Sequence, residues 1–116
     1  MTLQTNLTHV ESAADLEKML QENENVMVCC GRMGPMCVPV YAIMEELESE
    51  YPHVKFADML FDIPDAAVIR NHPACANFYG LPFTMYYKNG EVVKATSSIQ
   101  NMEQITEILD SEFGKK

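Results

Sequence analysis

The residues best suited to chemistry are four cysteines, and three of them, Cys29, Cys30 and Cys37, lie close together, with Cys75 farther on. They belong to Val-Met-Val-Cys-Cys-Gly-Arg-Met-Gly-Pro-Met-Cys-Val-Pro, residues 26–39, an apolar run that ends in a Gly/Pro-rich turn and feeds a helix. A strand that stops at a helix entrance brings side chains and free backbone N–H groups to one surface point, a setting that activates thiols. Four cysteines in a short chain without a secretory leader read as reduced thiols, a redox pair or metal ligands rather than a disulfide framework. No C-x-x-C occurs anywhere.

Composition narrows the partners. The 116 residues suffice for one domain, expected over 1–116, with a core that needs no staple. A hydrophobic fraction of 47% and a charged fraction of 22% are those of an ordinary globular protein. The net charge is −9, and the eight basic residues are scattered, so no positive stripe exists to meet nucleic acid. Met1 to Val10 lack a basic n-region and an apolar h-region, and no segment approaches a membrane span. A cytoplasmic location is expected, and the oligomeric state is left open.

The elements that must hold the cysteines follow from pattern. Thr8 to Glu11 suits a short edge strand. Ser12 caps a helix running to about Glu22, with Asp15 at its third position. Val26 to Cys30 reads as a buried central strand on which alternation puts Val28 and Cys30 on one face and Cys29 on the other. The next helix is predicted from Pro35 or Met36 to Tyr51, with Cys37, Val40, Tyr41, Met44 and Leu47 inward. A strand over 54–61 and a short helix over 62–71 come next, then an irregular segment with Cys75. Phe83 to Tyr87 and Glu91 to Thr96 flank Asn89-Gly90, a strong hairpin signal. Asn101 caps a last helix over 102–113. Strands alternating with helices and closing on an antiparallel hairpin predict an α/β protein, a central mixed sheet of four to five strands with helices on both faces.

Two stretches carry a family resemblance. Gly80-Leu81-Pro82-Phe-Thr-Met-Tyr-Tyr-Lys88-Asn89-Gly90 resembles the thioredoxin segment in which a cis-proline precedes the hairpin, and Met27 to Tyr51 resembles that family's central strand, redox turn and second helix. The resemblance covers about residues 8 to 113. It implies the thioredoxin fold, with Pro82 as a cis-proline that faces the redox turn and receives substrate backbone. Placed without gaps, Cys37 takes the second cysteine of Cys-Gly-Pro-Cys and Gly34 the first, so the attacking thiol is missing. The same placement puts Val28 where many thioredoxins carry a buried carboxylate, Met33 at a tryptophan position and Cys30 at an aromatic one. The segment 62–82 is about five residues longer than usual.

Thioredoxin chemistry needs an exposed nucleophile and a second thiol behind it. The expectation drawn is an atypical thioredoxin-like protein in thiol-disulfide exchange, a weak oxidoreductase where active, with Cys37 and Cys30 as the pair. Leu81, Pro82, Met33, Gly34, Pro35 and Met36 would hold protein or peptide thiols and disulfides. The alternative is a redox-inactive binding module in which both thiols are small core residues. Cys29 reads as plain core and Cys75 as a loop thiol. No cofactor or resident metal is expected, although Cys30, Cys37, His72 and Cys75 could be written as a zinc set and Met33 with Met36 as soft Cu(I) ligands.

Overall fold

The computed structural model describes residues 3–78 and 80–114. Its strands β1 (Thr8–Val10), β2 (Asn25–Gly31), β3 (Lys55–Leu60), β4 (Phe83–Lys88) and β5 (Glu91–Ser97) form one sheet in the order β1-β3-β2-β4-β5. Strands β1 and β2 run parallel to β3, whereas β4 is antiparallel to β2 and β5 to β4. The α-helices are α1 (Ala13–Glu22), α2 (Val38–Leu47), α3 (Ala67–Arg70) and α4 (Met102–Phe113). None of the described helices is long and apolar enough to cross a membrane.

Local chemistry accounts for the element ends. Ser12 accepts from the Asp15 N–H at 3.0 Å, opening α1. Asn101 and Gln104 exchange side-chain and backbone bonds at 2.8 and 2.9 Å, a capping box that opens α4. Asn89 and Gly90 both take positive φ, 53° and 84°, which a two-residue hairpin of this hand requires.

Every residue of β2 is buried, because the strand lies between β3 and β4 and is covered on both faces. Alternation along it divides the core in two. Met27 and Cys29 pack with Tyr41 and Met44 of α2 and with Ile105 and Leu109 of α4. Val26, Val28 and Cys30 pack with Leu16 and Met19 of α1 and Ile69 of α3.

The element order is the one the pattern predicts, and the differences lie at ends. Helix α2 starts at Val38 because the Gly34 carbonyl accepts from both Cys37 N and Val38 N, at 3.1 and 3.0 Å, which makes residues 35–37 a turn. It stops at Leu47, whose carbonyl likewise takes two donors, Glu50 N and Tyr51 N. The helix expected over 62–71 is a 3-10 turn, Pro64–Ala66, running into the four-residue α3. Cys75 closes a second 3-10 turn, Pro73–Cys75, in which His72 Nδ1 accepts from the Ala74 N–H at 3.0 Å.

Candidate functional site

Cys37 is the cap residue of α2 and only 1% exposed. Its Sγ accepts from the Arg32 N–H at 3.4 Å, while the Tyr41 hydroxyl, one turn along α2, donates to the Arg32 carbonyl at 3.0 Å. Both side chains close on Gly31, the last residue of β2. A Cβ built there would lie 2.7 Å from Cys37 Sγ, 2.8 Å from Tyr41 Oη and 3.1 Å from Pro82 Cβ. Gly31 is therefore a junction where strand, helix entrance and the Pro82 ring meet with no room for a side chain. The Leu81-Pro82 bond is cis.

The cysteines divide two and two across the sheet. Cys29 shares the α2 face with Cys37, whereas Cys30 and Cys75 share the α1 face. The proposed Cys30–Cys37 partnership thus meets a correction: Cys30 points to the side of β2 away from α2. Val28 points to that side as well, and Cys29 is the β2 thiol on the side of Cys37. All four thiols are free and buried. Burial pushes the Cys29 thiol far up, with the Thr84 hydroxyl, 3.9 Å from its sulfur, opposing in part. Burial pushes Cys30 up to about 12 against the pull of Arg70, and it raises Cys75, whose thiol donates to Met85 Sδ at 3.6 Å. Desolvation of the thiolate is the common cause.

A buried carboxylate belongs to the same face. Asp58 of β3 is in register with Cys29 and 1% exposed, with Thr5 donating to one oxygen and His9 Nδ1 2.7 Å from the other. Burial raises its pKa above the ordinary carboxylate value, and the Thr5 and His9 contacts oppose the rise. Sequence reading missed Asp58 and gave Cys29 no role; an Asp inside the apolar run 54–61 was the available signal.

Around the entrance the surface is apolar. Met33, Met36 and Val38 are 44%, 43% and 42% exposed, Pro35 is exposed, Gly34 and Leu81 are half-buried, and Pro82 is buried. The Gly34 position faces open space, since a Cβ there would meet nothing within 4 Å. Arg32 closes one flank through a two-pronged pair with Asp62, at 2.8 and 2.7 Å. Among the described residues no group of three His, Cys, Asp or Glu could hold a metal ion. The zinc set fails for a visible reason: Cys37 lies on one face of the sheet, and Cys30 with Cys75 on the other.

Solved structures give the architecture its name. Thioredoxin from Fasciola hepatica superposes with a TM-score of 0.76 at 25% identity, over 90% of this chain and 98% of that one. This protein has the thioredoxin fold. Thioredoxin f2 of Chlamydomonas reinhardtii matches with a TM-score of 0.78 at 14% identity, over 96% of this chain and 100% of that one. Mitochondrial thioredoxin 3 of Saccharomyces cerevisiae matches at 0.74 and 17%, over 90% and 94%. No family profile matches the chain, and no curated protein matches it. In this thioredoxin fold the cis-proline lies beside the helix entrance, and the sulfur there belongs to Cys37.

Proposed function

We propose that this thioredoxin-fold protein engages an extended segment of a partner protein across Leu81, Pro82 and the turn Met33-Gly34-Pro35-Met36, and exchanges thiol and disulfide at Cys37. The observation that carries the reading is the convergence at Gly31, where Pro82 and the Cys37 sulfur come within contact distance of one point. Exposed Met33, Met36 and Val38 supply an adaptable apolar rim for side chains of the segment. The Arg32 N–H stands where it can donate to a thiolate at Cys37. Four free thiols suit a reducing compartment such as the cytoplasm. Turnover should be slow beside a Cys-Gly-Pro-Cys enzyme, because Gly34 offers no leading sulfur and Cys37 lies under the turn.

Reduction of insulin disulfides with dithiothreitol tests this directly. The wild type should exceed the no-protein rate, Cys75→Ser should match it, and Cys37→Ser should fall to the no-protein rate. Wild type and Cys37→Ser both at that rate would end the exchange reading. The near-complete burial of Cys37 favours one second reading, a redox-silent module that uses the groove for binding alone. That reading expects partner binding to survive Cys37→Ser and to weaken with Met36→Glu.

A further inference from the structure

We propose that Cys29 and Cys37 are a redox pair, closing to a disulfide across the contact between β2 and α2. The inference deepens the exchange reading, since it names the thiol that would resolve a mixed disulfide at Cys37. Three observations carry it. Side chains two apart on a strand share a face and stand about 6.6 Å apart. Cys29 is two residues before Gly31, and the Cys37 sulfur lies 2.7 Å from where a Gly31 Cβ would be. Cys29 and Cys37 pack in one cluster with Tyr41, whereas Cys30 and Cys75 pack on the other side of the sheet. Finally, Cys37 stands at the very start of α2, makes no side-chain cap bond there, and follows a turn with open space at Gly34. A bridge needs Cβ atoms about 3.5–4.5 Å apart, so the first turn of α2 closes on the strand while β2 stays in its ladder.

The oxidant is a low-molecular-weight disulfide, RSSR. The Cys37 thiolate attacks one sulfur, forming a Cys37–S–S–R bond and releasing one thiolate that leaves as RSH with the Cys37 proton. Cys29 then attacks the Cys37 sulfur; the S–S bond to R breaks, the Cys29–Cys37 bond forms, and the second RSH leaves with the Cys29 proton. Two thiols are oxidised and one external disulfide is reduced.

Proteolysis separates Cys37 from the two strand cysteines, and substitution tells those two apart. Cleavage after Lys18, Arg32 and Lys55 leaves Cys29 and Cys30 on one peptide, 19–32, and Cys37 on another, 33–55. The full chain is incubated with glutathione disulfide, quenched with acid, alkylated, digested and mapped by mass spectrometry. Wild type and Cys30→Ala should give the 19–32/33–55 crosslink, and Cys29→Ser and Cys29→Ala should give glutathione retained on Cys37. A crosslink that survives both Cys29 variants, or a Cys30→Ala protein without one, overturns the pair. Far-UV circular dichroism checks that each variant is folded, and the two Cys29 replacements guard against one of them failing. Insulin reduction that depends on Cys37 but not on Cys29 would sink this inference and spare the exchange reading; a Cys29–Cys37 bridge without insulin reduction would do the reverse.

Discussion

Replacing Gly31 by alanine probes the junction on which the site is built. Gly31 does not adopt the left-handed backbone region, so the added methyl group brings steric conflict rather than backbone strain. That methyl would lie 2.7 Å from Cys37 Sγ and 2.8 Å from Tyr41 Oη, closer than packed atoms tolerate, and a tight 3.1 Å from Pro82 Cβ. Overpacking of this kind costs about 1–3 kcal/mol. Displacing Tyr41 also breaks its 3.0 Å bond to the Arg32 carbonyl, a further loss of about 1 kcal/mol. Gly31→Ala should therefore lose roughly 2–4 kcal/mol in urea unfolding, about 8–16 °C in thermal midpoint at this chain length. The origin of the loss is testable by a cycle. In a Cys37→Ala, Tyr41→Phe background the two nearest atoms are gone, and the same substitution should cost at least about 1 kcal/mol less. An undiminished cost in that background, or a Gly31→Ala protein within about 0.5 kcal/mol of wild type, would refute the convergence.

Further expectations follow from neighbouring groups. Burial raises the Asp58 pKa in the folded chain, against Thr5 and His9, so its contribution to stability is fullest below the unfolded carboxylate value of about 4 and is lost as pH rises through the folded pKa. Asp58→Asn should remove that downward slope from a plot of unfolding free energy against pH; an unchanged slope contradicts it. The Arg32 guanidinium holds Asp62 below the usual range, and Arg32→Ala should shift the Asp62 titration upward when followed by NMR. Asn101→Ala removes half of a capping box and should cost about 1 kcal/mol in chemical denaturation, with little effect on thiol reactivity.

Long periodic or punctuated stretches were legible in the sequence. The Asn89-Gly90 turn, the Ser12 and Asn101 caps and the apolar run Val26 to Cys30 each declare themselves within a few residues, and together they give the order of elements along the chain. The facing of the cysteines did not come through. Strand alternation correctly separates Cys29 from Cys30, but which of them meets α2 depends on how the turn 32–37 is threaded, and that is a tertiary matter. In a strand one residue reverses the face, so choosing Cys30 over Cys29 puts the thiol on the side of the sheet away from Cys37. Asp58 escaped for a related reason: its value lies in being the β3 partner of Cys29, a pairing that no local pattern encodes.

The most direct measurement is to treat the native, fully reduced protein with 5,5′-dithiobis(2-nitrobenzoate) and locate the first thiol that reacts by mass spectrometry. An entrance built around Cys37 predicts that this thiol leads, and that Met36→Glu changes its rate while the reaction at Cys75 is unaltered. First reaction at Cys75 or Cys30, with Cys37 silent until denaturant is added, would contradict the account.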